Sequence, residues 1–467
     1  MSFMDHIEGV FFCAGARNHL LLDHFQNLPL YMEIDERVAS FKALGLGKSR
    51  NKIAVVCTTS GTAVSECLSA MIEAYYSEAP LVLVSADRPL NLRFTGAPQT
   101  IDHETITRGH RRDYLDMDLG QFKQLDYSTL KYPAHINVRI TTPEEDESVS
   151  DLPVFGGFSE FISQVKKPFI LVSHETSDLR QLVKKISSYG LPFYAEVASG
   201  AKELSSIKTE REVLRLFKEK AFDGVIRIGH TPMSKLWRKL QGVRLPVYSF
   251  DSRGLKGLSY GSVEKISTNQ LLSQASFWKE LPLPWMKGED KSTLHLEGLC
   301  QKYPQSEIAL MKRVHDHLPS GAKVFLGNSL VIRYFELVQN KNFQIMANRG
   351  TNGIDGQLAT AIGWSLSTRE DIYCILGDMT LSYDLSSLRN LPANLKCIVM
   401  NNSGGRIFER LKLDNRLVMA HSQNFKGISQ GLGLSYSNSL TDLDTVDVLE
   451  LQPDLEETRL FLNEWQL

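Results

Sequence analysis

The chain has 467 residues, 42% hydrophobic and 23% charged, with a formal net charge of −2 at pH 7. That length exceeds one hydrophobic core and implies several domains. The near-neutral balance gives no electrostatic case for nucleic acid or an anionic membrane, and no run of eighteen apolar residues offers a membrane span.

Short apolar runs alternate with amphipathic stretches from end to end, the pattern of βα units feeding parallel sheets. Residues 9–13 and 53–57 predict strands, 62–76 a helix, and 81–85 a strand that ends at Ala86-Asp87-Arg88-Pro89. The polar stretch 141–148 has linker composition. The alternation resumes with strands at 169–172, 224–228 and 247–250, and a second polar, Pro-containing region follows at 281–292. The last third predicts a helix over 306–317 and strands at 324–327, 372–376 and 395–400. The expected fold is α/β, with three doubly wound parallel-sheet domains at 1–148, 155–285 and 293–467. Cys13, Cys57, Cys67, Cys374 and Cys397 sit in apolar surroundings and read as small hydrophobes, without zinc spacing. With no basic-then-apolar leader at the N-terminus, the expected setting is reducing and cytoplasmic.

Ligands of open parallel sheets bind beyond the carboxyl ends of strands, so the residues just after each strand carry the functional signal. Gly377-Asp378-Met379 follows one predicted strand, and Asn402 follows the next, 24 residues after the aspartate. Adjacent parallel strands would bring both side chains to one sheet edge. A hard cation such as Mg²⁺ takes oxygen ligands and shares them with a phosphate, so Asp378, Asn402 and a carbonyl from Ser403-Gly404 would suit it. An equally local reading makes Asp378 a helix cap and Asn401-Asn402 a turn; spacing alone leaves both open. In the first third, Glu33-Ile34-Asp35-Glu36-Arg37 precedes an apolar helix. Glu36 is either an acidic first-turn residue favoured by the helix dipole or a buried acid with a raised pKa.

The pairing of Asp378 with Asn402 resembles the Gly-Asp-Gly…Asn-Asn cofactor signature of thiamine-diphosphate enzymes, with Met379 at the third position. Three early motifs narrow the resemblance: Tyr31-Met32-Glu33-Ile34-Asp35-Glu36-Arg37, Cys57-Thr58-Thr59-Ser60-Gly61-Thr62-Ala63, and Ser85-Ala86-Asp87-Arg88-Pro89. Gly327-Asn328-Ser329 through Arg333, Asn348-Arg349 through Gly356, and Asn401-Asn402 through Phe408 extend it. Together they are similar to the synthases that make 2-succinyl-5-enolpyruvyl-6-hydroxy-3-cyclohexene-1-carboxylate on the way to menaquinone. The likeness runs along the whole chain and is weakest in its middle.

The resemblance implies thiamine diphosphate with Mg²⁺ (or Mn²⁺), and decarboxylation of 2-oxoglutarate followed by addition to isochorismate. It implies Glu36 as the activating acid against the cofactor's aminopyrimidine, and Asp378, Asn402 and the Gly404 carbonyl as metal ligands. Ser329 and Gly377 would lie near the diphosphate, Ile354 under the cofactor, and Ile407 and Phe408 along the pocket. Arg17, Arg88, Gln99, Lys235, Arg333 and Arg349 would face the two dicarboxylates, which guanidinium forks suit. A homodimer or dimer of dimers is implied, with Glu36 and Asp378 of one site on different chains. The chain departs from the family at Ala16, Pro98 and Leu236, where a serine, an asparagine and a second basic residue are usual, and it lacks the helix before the first strand. These departures keep two alternatives in view: another thiamine-diphosphate decarboxylase or carboligase, and a non-catalytic homologue. Gly45-Leu46-Gly47-Lys48-Ser49 is no P-loop, because a predicted helix precedes it, and no GxGxxG follows the first strand.

Overall fold

The computed structural model describes residues 6–142, 145, 154–175, 178–243, 245–274, 278–279, 281 and 292–465. Boundaries expected at residues 148 and 285 lie outside the described residues.

Three all-parallel sheets follow one another along the chain. The first holds β1 (Ile7–Cys13), β2 (Leu30–Glu33), β3 (Ile53–Thr58), β4 (Leu81–Asp87), β5 (Asp113–Asp118) and β6 (Ala134–Arg139), in the order β2-β1-β3-β4-β6-β5. The second holds β7 (Pro168–Val172), β8 (Phe193–Ala195), β9 (Gly224–Ile228), β10 (Val247–Asp251) and β11 (Ser262–Lys265), in the order β11-β10-β9-β7-β8. The third holds β12 (Lys323–Leu326), β13 (Gln344–Met346), β14 (Ile372–Gly377), β15 (Leu395–Met400), β16 (Tyr436–Ser437) and β17 (Val448–Leu451), in the order β13-β12-β14-β15-β17-β16.

Each sheet has helices on both faces, and its central strands are largely apolar because both faces are covered, with buried polar residues such as Arg227 and Asp251 as exceptions. Every residue of β3, β4, β7, β9 and β10 is buried. Two core clusters per sheet, one on each face, account for this burial. All six cysteines are free, and all but Cys300 are buried. Among the described residues no helix is long and apolar enough to cross a membrane.

The helix expected over 62–76 is instead two, Thr62–Glu66 and Leu68–Ser77, offset at Cys67. Cys67 keeps near-helical dihedrals (φ −76°, ψ −13°), so the axis shifts without turning away from the sheet.

The strand orders reverse between β1 and β3, between β7 and β9, and between β12 and β14. Such reversals splay the flanking connections to opposite faces and open a crevice at the carboxyl edge. Arg17 follows β1, Lys235 follows β9, Ser329 follows β12 and Asp378 follows β14, so candidate residues stand at all three crevices.

Candidate active site

Parallel pairing of β14 with β15 sets Gly377 opposite Met400, so Asp378 and Asn402 leave neighbouring strands at one edge. Asp378 is the first residue of the helix Asp378–Tyr383, whose N-cap is Gly377 with no side-chain cap. The reading of Asp378 as a helix cap therefore fails; its carboxylate reaches across to the β15 loop. Its Oδ2 accepts from the Gly404 N–H at 2.8 Å and lies 3.0 Å from His421 Nε2, while Oδ1 accepts from the Met379 N–H at 2.8 Å.

The Asn402 amide is held from one side only. Its Nδ2 donates to both carboxylate oxygens of Glu307, at 3.2 and 3.1 Å, which turns Oδ1 the other way. That Oδ1 is buried and has no hydrogen-bond partner among the described residues. An orphaned buried oxygen is costly unless a donor or cation completes it. Glu307 is pushed up to about 7, by burial first and then, against the Asn402 bond, by the nearby Asp378 charge. The edge is thus rich in oxygen and negative charge. Among the described residues no three His, Cys, Asp or Glu side chains are grouped to hold a metal. One carboxylate, one amide oxygen and a backbone carbonyl suit a Mg²⁺-type ion that takes its remaining ligands from phosphate and water. Gly404 has φ +136°, and a Cβ there would come within 2.6 Å of the Val418 carbonyl oxygen, so the loop requires glycine. By contrast a Cβ at Gly377 meets only ordinary contacts.

Ser329, after β12, has φ +66° and ψ −126°, a sparsely populated conformation for a non-glycine residue. Beside it, Asn328 binds the 348–356 loop through the carbonyls of Asn348 (2.9 Å) and Gly353 (2.6 Å), and its Oδ1 accepts from Arg349 Nη1 at 2.6 Å. Ile354 is half-buried on that loop. Ile407 packs against the third-sheet core, whereas Phe408 packs against the first-sheet core, so this short helix joins two domains.

Glu36 begins the helix Glu36–Arg50, which Asp35 caps by accepting from the Arg37 and Val38 N–H groups. A helix N-terminus favours a charged carboxylate. Burial wins: Glu36 is 6% exposed and its pKa is raised to about 8, chiefly by loss of water and further by Asp355, Asp35 and Glu66. Within one chain Glu36 meets the far end of the helix that Asp378 starts, its N–H donating to the Tyr383 hydroxyl at 3.4 Å. Thr62 closes the same contact by donating to Asp355 at 2.8 Å.

The candidate cations divide into two groups. Arg17 and Arg88 converge on Glu145: Arg17 makes two bonds of 2.8 Å, and Arg88 bonds the same carboxylate. The Pro98 carbonyl accepts from Arg88 Nε at 2.9 Å, so position 98 contributes through its backbone. Gln99 has φ +57° and lies against Gly61, where an added Cβ would come within 3.3 Å of the Gln99 Cα. Lys235 and Arg333 instead line one cleft between the second and third sheets, with Glu210, Ser234, Arg238 and Arg410. Arg333 donates to the Ser329 carbonyl and is lowered to about 9 by burial and then by Arg238, Arg349 and Arg410. Arg349 is lowered to about 10 by burial, with Glu196 opposing and Arg238 adding to the effect. Both remain cationic at neutral pH.

Glu307, His421, Asp355, Glu145 and Arg238 escaped the sequence reading. Glu307 follows the N-cap Ser306 and looks like an ordinary first-turn acid, Asp355 lies within the motif at 348–356 but takes no role from it, and the other three carry no local motif. Gly45-Leu46-Gly47-Lys48-Ser49 lies inside the helix Glu36–Arg50, which excludes a phosphate loop there.

Residues 4–106 match the family model described as thiamine pyrophosphate enzyme, N-terminal TPP binding domain. The chain is 34% identical to the 2-succinyl-5-enolpyruvyl-6-hydroxy-3-cyclohexene-1-carboxylate synthase of Bdellovibrio bacteriovorus, over 97% of this chain and 95% of that one. It is 28% identical to the enzyme of that name from Akkermansia muciniphila, over 96% and 93% of the two chains, and 27% identical to that of Lysinibacillus sphaericus, over 95% and 88%.

Proposed function

The chain belongs to the family of 2-succinyl-5-enolpyruvyl-6-hydroxy-3-cyclohexene-1-carboxylate synthases, and we propose that it decarboxylates 2-oxoglutarate and adds the resulting four-carbon unit to isochorismate. It is a thiamine-diphosphate enzyme of the transferase type, with a place in menaquinone biosynthesis. The observation that carries the substrate reading is one cleft lined by Lys235, Arg238, Arg333 and Arg410, four cations against the carboxylates of Glu196, Glu210 and Glu336, where a dicarboxylate would be met by more cations than carboxylates.

Residues 1–148 would form the pyrimidine-binding domain, 155–285 the central domain and 293–467 the diphosphate-binding domain. Asp378, Asn402 and the Gly404 carbonyl would hold Mg²⁺ or Mn²⁺, an assignment supported by the unpartnered Asn402 Oδ1. Ser329 and Gly377 would face the diphosphate, with Ile354, Ile407 and Phe408 as the apolar walls. Thiamine diphosphate, when bound, would supply a thiazolium that accepts the electron pair left behind when CO₂ departs.

The protein's own groups do the rest. Glu36, neutral up to about pH 8, would hold a proton at its carboxyl and exchange it with the aminopyrimidine. Arg333 and Lys235 would grip the distal carboxylate of 2-oxoglutarate, while Arg17, Arg88, Gln99 and Arg349 would orient the acceptor. For that, the Glu145 carboxylate must yield its place on Arg17 and Arg88 to a substrate carboxylate. Membership of the family would place the Glu36 and Asp378 of one site on different chains, so each site would take its Asp378 from a second copy. A cytoplasmic homodimer, or a dimer of dimers, fits that arrangement.

The test is an assay of purified protein with thiamine diphosphate and Mg²⁺, following CO₂ and adduct from 2-oxoglutarate with and without isochorismate. Adduct is expected only with both substrates, and Glu36→Gln should lower its rate about 10²- to 10⁴-fold. CO₂ without adduct would leave a simple decarboxylase, and no turnover by cofactor-loaded protein would leave a non-catalytic homologue. Mixing Glu36→Gln with Asp378→Ala subunits should restore activity if sites are shared between chains.

A further inference from the structure

The middle domain presents a second cation to the cleft beside Lys235. The helix Lys235–Leu240 follows β9 and is capped by Ser234. Leu236 and Trp237 turn into the core, 0% and 2% exposed, so the position after Lys235 has no access to the cleft. Arg238 stands three residues on, the spacing that returns a helical side chain to the Lys235 face. It is exposed and lines the same cleft. Among the described residues no ion pair or side-chain hydrogen bond engages its guanidinium, in contrast to the candidate-site arginines. Arg17 and Arg88 are held on Glu145, Arg349 on Asn328, and Arg410 sits 5.3 Å over the Tyr334 ring.

The charge of Arg238 reaches all three domains: it acts on Arg88 from the first sheet and on Arg333 and Arg349 from the third. For Arg333 it is the foremost charged neighbour. An unpaired guanidinium held among like charges is an arrangement that an incoming anion relieves. Arg333 is bonded to the Ser329 carbonyl, and in the reaction proposed above it would engage the donor. Arg238, on the exposed face of its helix, would meet a second acid at the solvent side of the same cleft.

We propose that Arg238 binds a carboxylate of isochorismate, supplying from the next turn of the helix the second middle-domain cation that buried Leu236 does not. The assignment rests on the reaction proposed above and adds a specificity-determining residue to it. Because Arg238 is exposed, Arg238→Ala should melt with the wild type, so its kinetics report on binding and not on folding. Steady-state kinetics with both substrates should show the KM for isochorismate raised roughly tenfold to a hundredfold, the range for losing a charge-assisted hydrogen bond. The KM for 2-oxoglutarate should rise by no more than about threefold. Arg238→Lys should recover part of the loss, since an ammonium attracts the carboxylate but cannot fork onto it. An unaltered KM for isochorismate, or an equal rise for both substrates, overturns the assignment. A wild-type protein that forms no adduct overturns the proposed reaction itself, and this inference with it.

Discussion

Around Glu36, burial and then Asp355, Asp35 and Glu66 push the carboxyl pKa up to about 8; around Arg333, burial and then Arg238, Arg349 and Arg410 pull the guanidinium down to about 9. The two regions are built alike with opposite sign: each gathers like charges in a place with little water. They relax differently, because the groups differ. A carboxyl raised to about 8 can keep its proton at neutral pH, so the acidic region stores a proton. A guanidinium keeps its charge at any physiological pH, so the cationic region can be neutralised only by binding an anion. One side of the site is thereby suited to proton exchange and the other to holding acids.

The comparison breaks most visibly at Arg333. Replacing it by methionine should lower kcat/KM about a hundredfold or more, yet raise the melting temperature of the free protein at low ionic strength by removing one of the crowded cations. Succinate, an unreactive dicarboxylate, should raise the melting temperature of wild type and not of Arg333→Met. Destabilisation of the free variant at low salt would show that the cations are not in conflict.

A smaller effect is expected at Glu36, and its sign follows from the raised pKa. The folded protein keeps the Glu36 proton up to about pH 8, whereas the unfolded chain releases it near 4.5. Stability from this group is complete below the unfolded value, falls as pH rises between the two, and is lost above pH 8. Glu36→Gln lacks that loss. It should therefore melt above wild type at pH 8.5, by an amount on the order of a few kcal/mol, and approach it towards pH 5. Equal melting of the two proteins at pH 8.5 would mean that Glu36 is ionised without penalty.

The smallest effect sharpens the ranking of causes. Asp355 is a neighbour that raises Glu36, but it comes behind burial. Asp355→Asn should shift the apparent pKa of Glu36 down by about a unit or less, read from the pH–rate profile. A larger shift would make charge crowding, not burial, the main source of the proton affinity.

Much of this architecture was legible in the residues. The strands at 224–228 and 395–400 are found where the apolar runs predict them, and those at 53–57 and 372–376 extend by one residue. These are central parallel strands covered on both faces, so apolar residues dominate them, broken only by Arg227 and Lys396. β5, with the sequence DYLDMD, and the two-residue β16 lie at sheet edges, where polar side chains face water and no such signal exists. The helix over 62–76 was legible in position but not in its break at Cys67, a local shift that no periodicity marks.

The candidate site divides in the same way. The alternation of strand and helix puts Arg17, Lys235, Ser329, Asp378 and Asn402 just past strand ends, and strand pairing then brings Asp378 and Asn402 together, so these positions were already present in the order of residues. The docking of domains and the choice of strand neighbours settled the partners. Glu145 meets Arg17 across 128 positions, and Glu307 meets Asn402 across 95. Asp355 reaches Thr62 across 293, and Arg238 comes to face the arginines of two other sheets. Local sequence encodes periodicity, caps and turns, because those interactions span a few residues. A contact over a hundred residues or more depends on which faces the chain buries against each other, and that is set by the sum of packing over whole domains.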